Sequence, residues 1–595
     1  MATVDYETHE HDVLVIGSGG AGLRAAIEAS ASGLSVGLVC KSLLGKAHTV
    51  MAEGGVAAAM GTCDQDDSWQ THFYDTMNGG KMMNSWRMAQ LHAQQAADRV
   101  RELQEWGALF DRTPSGDFLQ RDFGGHQFRR LCHVGDRTGL EMIRTLQDKG
   151  VHLGIEVYME CAITRLLKDG DQIAGAFGYF RPDGRFIVFR AKAIILACGG
   201  IGRSYKVTSN SWECTGDGHA LAYEAGAELL DMEFVQFHPT GMVWPPGVEG
   251  LLVTEAVRGE GGKLTNNKGE RIMSKYDPDR MELSTRDVVA RAIYTEVKEG
   301  RGTPHGGCYL DVSYKNPATV IRKLPSMYHQ FKELANVDIT KQAMEVGPTT
   351  HYVMGGVRVN PDTQQSRVPG LFAAGECAGG MHGGNRLGGN SLSDLLVFGR
   401  LAGIGAVDFV KGLKKQPSLD QAQVDDAVVE MTAPFEREGA ETAYDVHADL
   451  QVSMQHNVGI FRTEADLAVG IENIGKLNER AKKVVAKGGR AFNPGWHLTR
   501  ELKNMLIVSE SIALSAQQRK ESRASHSRLD YTEFDPEWAK VNSVVHKGPD
   551  GKMVIEAVAK DPMPEELTKI LAEQKELQPQ RELNKKERLA KAAKE

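Results

Sequence analysis

Three times along the 595-residue chain an unbroken apolar run ends in glycines. They are Val13–Ile16 within HDVLVIGSGGAG, then AKAIILACGG (191–200), then PGLFAAGECAGG (369–380). Apolarity without alternation predicts strands buried on both faces, as in a parallel sheet covered by helices. A further strand is expected at LSVGLVCKS (34–42). Helical periodicity follows the first run, in AGLRAAIEASA, and the third, in SLSDLLVFGRLAGIGAVDFV (391–410). The latter is the longest apolar stretch, but Asp394, Arg400 and Asp408 interrupt it, so it reads as a buried helix rather than a membrane span.

Elsewhere the pattern changes. From about 232 to 348 proline, lysine and polar turns increase, and beyond about 415 the spacing turns helical, as in 448–485. The last stretch, 562–595, is dense in Glu and Lys and predicts a solvated helix or a disordered tail, with docking onto a partner left open. A chain of this length holds about three or four domains. The expected class is α/β, with a nucleotide-binding domain in two parts (1–231 and 349–415) interrupted by a second unit (232–348). A helical domain (416–535) and a charged C-terminal segment (536–595) would follow.

The first glycine cluster carries a mechanism. Gly17, Gly19 and Gly22, with Ser18, Gly20 and Ala21 between them, form G-x-G-x-x-G between a strand and a helix. The first glycine makes the tight turn, the second admits a pyrophosphate to the backbone, and the third packs helix on strand. The helix N-terminus then faces the phosphates. An acid usually ends the second strand to hold the ribose hydroxyls, but Cys40, Lys41 and Ser42 stand there instead. Ser42 or a backbone amide would have to serve. Three separated strand-then-glycine units converging on one cofactor suggest FAD rather than NAD, because FAD lies extended along its domain. Glu376, after the third strand, is placed to take ribityl or ribose hydroxyls.

Composition narrows the rest. The 65 glycines are about 11% of the chain against a usual ~7%, which fits backbone packed closely on a large ligand. A net charge of −8 without a basic stripe makes nucleic acid an unsuitable partner. Eight scattered cysteines form no C-x-x-C, no C-x-x-C-H and no ferredoxin-like run, so neither an iron–sulfur cluster nor a c-type haem is expected, and no metal site. The acidic N-terminus runs directly into a strand, without the character of a signal peptide. GKAHTVMAEGG (45–55) sets His48 and Thr49 ahead of the pair Gly54 and Gly55. Alone, that histidine reads as an ordinary loop residue.

In order along the chain stand AHTVMAEGG, GDRTG (135–139), TGDGHALAYEAGA (215–227), QFHPTG (236–241), TEAVRGEGG (254–262), RDVVARAI (286–293), THYVMGGV (350–357) and GNRLGGNSLSDLLVFGR (384–400). Together they closely resemble the flavoprotein subunit of succinate dehydrogenase and fumarate reductase, from about Asp12 to about Asp530. The resemblance implies a Rossmann-like FAD-binding domain interrupted by a mobile α+β capping domain. It implies covalent FAD through His48, with Asp217, Ser391 and Leu392 among the other cofactor contacts. His238 and Thr254 would hold one substrate carboxylate, and His351 and Arg386 the other. Arg286 would carry the proton, with Glu255 and Arg258 in its relay.

The implied activity is oxidation of succinate to fumarate by hydride transfer to FAD. Electrons would pass to an iron–sulfur subunit, and a membrane anchor would give access to quinone. The chain would lie on the cytoplasmic face of the cell membrane, attached through those partners. Fumarate reduction is the alternative, since one site serves both directions. A soluble L-aspartate oxidase is disfavoured by His48, a haem-linked reductase by the missing C-x-x-C-H, and a non-catalytic flavin scaffold by the full dicarboxylate set.

Overall fold

A computed structural model describes residues 5–592. Its main sheet runs in the order Glu156–Tyr158, Val36–Val39, Tyr6–Ile16, Phe186–Leu196, Gln172–Phe180, Cys161–Asp169, and Leu371–Ala373 pairs with the end of Phe186–Leu196. The first four strands and Leu371–Ala373 are parallel, in register Val13↔Val36, Val13↔Ala193 and Leu371↔Ile194. The apolar runs are buried strands, as their lack of alternation requires: Val13, Leu14, Val15, Ile194, Ile195 and Leu371 have no exposed surface. The second strand is shorter than expected, Val36–Val39; beyond it Cys40 and Ser42 bond the turn that follows Tyr158, the Cys40 N–H to the Tyr158 carbonyl at 2.9 Å and the Glu160 N–H to the Ser42 carbonyl at 3.0 Å. Helices Gly20–Ala31 and Asn390–Gly412 cover one face. They cross closely, since a Cβ on Gly399 would lie 2.6 Å from the Ala21 carbonyl oxygen.

The inserted unit is built on an antiparallel sheet, ordered Val235–Met242, Met344–Val353, Cys308–Asp311, Lys263–Thr265. It has its own core, with Met242, Val257, Ile293, Leu310 and Phe331 buried together. Val235–Met242 leads out of the nucleotide-binding part and Met344–Val353 leads back into it, which gives this pair of strands a place at the boundary between the two.

Helices Gln421–Glu436, Ala443–Asn457, Glu464–Ala481 and Pro494–Gln518 follow. Trp496 fixes them to the antiparallel part of the main sheet: it is fully buried, packs on Tyr179 and Phe186, and donates Nε1–H to the Met431 carbonyl at 2.7 Å. The helical pattern over 448–485 is broken in two. Phe461–Arg462 forms a short strand beside Ser527–Arg528, and Thr463 caps the next helix by accepting from the Asp466 N–H. A hairpin, Val541–Lys547 with Met553–Ala559, then adds to the short strands Leu229–Leu230 and Gly356–Val357.

The charged tail departs from expectation. It is a helix, Glu565–Ala592, but it is docked rather than solvated. Leu567 is buried against Phe73, Met77, Ala89 and Ala93. Further along, Gln574 accepts from Thr71 and Gln578 from Tyr74. Charges that read as solvated are paired with the body, Arg588 with Asp122 and Glu582 with Arg280. Among the described residues no helix is long and apolar enough to cross a membrane, and no His, Cys, Asp and Glu cluster is arranged to hold a metal.

Candidate active site

The C-terminal ends of four parallel strands open into one long cleft, whose walls include Ile16, Val39, Ala197 and Ala374. Ligands of open α/β sheets bind at such strand ends. Gly17, Ser18, Gly19, Gly20, Ala21, Lys41, Ser42, His48, Thr49, Gly54, Gly55, Asp217, Glu376, Ser391 and Leu392 all line it. Gly22 does not; it stands behind, where a Cβ would fall 1.7 Å from the Gly17 carbonyl oxygen, as helix-on-strand packing demands. Gly17 has φ +113°, and a Cβ there would lie 2.2 Å from the Ala197 carbonyl oxygen. Gly19 meets only Thr49 Oγ1 at 3.3 Å and Ala47, so its open face is left to a ligand. The helix beginning at Gly20 has no side-chain cap from Gly19; Thr49 Oγ1 accepts the Gly20 N–H at 3.2 Å, and Gly20, Ala21 and Thr49 all line the cleft, so the N-terminal end of the helix opens on it.

The acid missing from the second strand comes from elsewhere. Lys41 Nζ lies 3.0 Å from Asp217 and 2.9 Å from Glu501, and donates to Thr215 at 2.7 Å. Burial opposes the charge on Lys41, but the two carboxylates hold its pKa above the ordinary value. Burial likewise opposes ionisation of Asp217, and Lys41 and Asn504 outweigh it. Asp217 therefore stands as a carboxylate at the start of helix Asp217–Ala225, on the cleft wall. On another wall, burial pushes Glu376 up to about 7, and its Oε1 accepts from the Val353 N–H at 3.1 Å. Sequence reading missed Glu53, which also lines the cleft with Oε2 buried and unpartnered; burial and Asp136 push its carboxyl well up.

His48 begins a short 3-10 turn, His48–Met51. Its Nδ1 accepts from the Ser211 N–H at 3.4 Å, which leaves Nε2 as the atom available to the cleft. Burial lowers its pKa against the opposing pull of Glu213, so the imidazole is neutral.

Beyond His48 the same cleft is lined by His238, Thr254, Glu255, Arg286, His351 and Arg386. The strands of the inserted sheet bring two of these together: His238 and His351 face each other with ring centroids 5.1 Å apart. His238 donates Nδ1–H to the Thr240 carbonyl at 3.0 Å, and His351 Nδ1 bonds Ser209 Oγ at 2.8 Å, leaving each Nε2 to the cleft. Arg386 lies over the Tyr352 ring at 4.4 Å and donates to Ser391 Oγ at 3.0 Å and to Gln236 Oε1 at 3.1 Å, while its Nε is buried without a partner. Burial, and then the Arg286 charge, push Arg386 down to about 9. The same burial and cations hold both histidines well below their ordinary value.

Arg286 donates Nε–H to Glu255 Oε2 at 2.8 Å and NH1 to Gln236 Oε1 at 3.4 Å. Glu255 Oε1 accepts from the Gly124 N–H at 2.9 Å. Burial opposes its ionisation, yet Arg258 and Arg286 hold its pKa below the usual carboxylate value. Arg258 does not line the cleft. It sits behind Glu255, 3.4 Å from Oε2, and donates to the Glu282 carbonyl. Gln236, the first letter of QFHPTG, was also missed. It is fully buried, its oxygen bridges Arg286 and Arg386, and its NH2 group is held by Asn385 and the Arg386 carbonyl. The cleft thus ends in two guanidinium groups and the Nε2 atoms of two histidines. His351 can offer Nε2–H when its Nδ1 accepts from the Ser209 hydroxyl, while His238 would offer one only on protonation favoured by an incoming anion, an arrangement that favours a compact ligand with two negative ends.

The FAD binding domain family matches residues 12–392, and the fumarate reductase flavoprotein C-terminal family matches 447–581. The matching chain of the CoM/CoB fumarate reductase of Methanothermobacter marburgensis is 46% identical over 539 residues, 90% of this chain and 97% of that one. The succinate dehydrogenase flavoprotein subunit of Coxiella burnetii is 39% identical over 549 residues, covering 88% and 92%. The apo Sdh1 complex of Mycobacterium smegmatis superposes with a TM-score of 0.87 at 56% identity, over 95% of this chain and 97% of that one. FAD is accordingly the cofactor of the cleft, and the residues fit it: side-chain-free Gly17 and Gly19, a helix whose first residues Gly20 and Ala21 line the cleft, and carboxyl groups at Asp217 and Glu376. Gly17→Ala is expected to abolish flavin retention, because the new Cβ would overlap a backbone carbonyl that cannot move without the sheet. The check is the 450 to 280 nm absorbance ratio of purified protein, which should fall by about tenfold or more.

Proposed function

The chain belongs to the flavoprotein family of succinate dehydrogenase and fumarate reductase, and we propose that it is the catalytic subunit of a succinate:quinone oxidoreductase, oxidising succinate to fumarate. The observation that supports this reading is the gathering of His238, Thr254, His351 and Arg386 beside Arg286 on the wall of one cleft. His238 and Thr254 take one carboxylate, His351 and Arg386 the other. A planar guanidinium suits a carboxylate in a way that lysine would not. FAD, when bound, supplies the hydride acceptor. Holding both carboxylates fixes the two methylenes between them, which turns a bimolecular encounter into a positioned one. Packing of the inserted domain on the cleft excludes water from the same space.

Arg286 is the proton carrier in this reading. A guanidinium alone keeps its proton at any ordinary pH. Arg286 can pass one on because Glu255 lies 2.8 Å from its Nε, and it takes a proton from the substrate carbon as it gives one to the carboxylate. Arg258 holds Glu255 ionised from behind. His48 is the point of covalent attachment: a substituted Nε2 leaves the Nδ1 lone pair for the Ser211 N–H. Electrons leave to an iron–sulfur protein, and a membrane anchor with a quinone site holds the chain peripherally at the cytoplasmic face. The reverse direction, fumarate reduction, is favoured by the 46% identity to the Methanothermobacter reductase chain.

Arg286→Ala should lower succinate turnover by about 10²–10⁴-fold, the range for a general acid or base, while dicarboxylate binding stays within about threefold. Turnover above a tenth of wild type would remove Arg286 from this role. The direction is read by comparing succinate oxidation through ubiquinone with fumarate reduction by a reduced viologen; a ratio above one confirms the oxidase, a ratio below one the reductase. In protein from native membranes, flavin fluorescence should stay with the acid-precipitated chain on a denaturing gel and vanish in His48→Ser. Fluorescence lost from the wild type under acid would leave His48 as a contact only.

A further inference from the structure

The C-terminal helix Glu565–Ala592 reaches the two backbone segments on which the Arg286–Glu255 pair depends. The first is the turn at 122–126. Lys585 Nζ donates to the carbonyls of Phe123 at 3.1 Å and His126 at 2.7 Å, and Arg588 pairs with Asp122 at 2.6 Å. Phe123 lines the cleft and Gly124 supplies the N–H that holds Glu255. The second is the stretch leading to Arg286. Glu582 pairs with Arg280 at 2.7 Å and Lys586 with Asp279 at 3.1 Å. The two segments touch, since a Cβ on Gly124 would lie 3.0 Å from the Ser284 carbonyl oxygen and 2.7 Å from Glu255 Oε1.

From this geometry we propose that Lys585, assisted by Glu582, is a positioning residue: the C-terminal helix holds the 122–126 turn against the segment before Arg286, so that the Gly124 N–H and the Arg286 Nε–H meet the same carboxylate. The inference rests on the reading of Arg286 and Glu255 as the proton relay. Lys585 suits the task. Burial disfavours its ammonium, Asp122 at 3.8 Å and Asp75 favour it, Arg588 and Arg280 oppose it, and two backbone carbonyls take its protons. A lysine whose close bonds are to main-chain oxygens, with Asp122 farther off at 3.8 Å, fixes the course of the chain. Glu255 itself is faced by Arg258, Arg286 and Arg386, all cationic, and by the one N–H that the turn supplies.

The test uses the flavin-loaded complex with Lys585→Met, which keeps the volume, Lys585→Arg, which keeps the donors, and Glu582→Gln. Lys585→Met should lower kcat about tenfold with KM within twofold. Glu255 would lose a donor that favours its ionised form, so its pKa rises and the acid limb of the kcat profile moves to higher pH. Lys585→Arg should restore most of the rate and return the limb, and Glu582→Gln should shift both in the direction of Lys585→Met by a smaller amount. An unmoved acid limb with kcat within twofold in Lys585→Met overturns the proposal. So does a joint fall in kcat, dicarboxylate affinity and melting temperature that Lys585→Arg does not repair. Glu255→Gln separates the two readings. If it keeps more than a tenth of wild-type turnover, the relay falls and the positioning role with it. If it loses turnover while Lys585→Met does not, only the positioning role falls.

Discussion

Glu255 is a single buried carboxylate set among three buried guanidinium groups, and much of the structure is needed to keep it there. Removing one partner from a buried ion pair typically costs about 3–5 kcal/mol, because the remaining charge has no water to turn to. Arg258, Arg286 and Arg386 are each less than a tenth exposed. Their mutual repulsion is visible in Arg386, and Glu255 with the Gln236 oxygen offsets only part of it. The remainder is open to a dianion. A site of this kind cannot be assembled by one segment, since no short stretch places three cations and their counter-charge in a dry cleft.

The fold solves this by division. The parallel sheet supplies strand ends and a helix N-terminus for the phosphates of the cofactor, and the inserted sheet supplies the histidines. His238 and His351 come from neighbouring strands, Val235–Met242 and Met344–Val353, whose pairing is irregular around His238. Gln236 sits two residues before His238, so it stands on the same strand face and spans the two arginines. The Lys41–Asp217 pair shows the same economy at the other end of the cleft. The strand that should end in an acid ends in a base, and the base carries an acid in from a helix about 175 residues later.

How much of this could be read from residues alone depends on how local the cause was. The parallel strands were legible because burial on both faces leaves no alternation, and Gly17, Gly19 and Gly22 announce their backbone geometry by lacking side chains. The helix break at 458–463 was not, because apolar spacing continues through it; buried Arg462, bonded to the Gly459 and Glu233 carbonyls, is what turns the chain. Docking of the final helix was illegible for a different reason. Its Glu and Lys residues look solvated in sequence, and their partners Asp122, Asp279 and Arg280 lie some 300 to 470 residues earlier. Arg258 was placed in the relay by resemblance, and the structure sets it one layer back. Gln236 and Glu53 stood inside recognised motifs and were passed over, since an amide or a carboxyl next to a histidine carries no signal until its neighbours are known.

In the relay proposed for Arg286, the balance at Glu255 would have to be narrow for a guanidinium to move a proton. A carboxylate relieved of its cations would be driven by burial toward its neutral form, and then it could not accept anything from Arg286. A carboxylate with still more donors would be ionised but too weak a base to draw the proton across. Burial on one side and two arginines plus one backbone N–H on the other leave Glu255 ionised, with its pKa below the ordinary value. The single neutral donor in that set is the one whose removal changes basicity without removing a charge. It belongs to a glycine, and a side chain at that position would press on the carboxylate it serves. The turn that carries this N–H therefore cannot be held by its own side chain at Gly124, which is why the holding groups come from outside it.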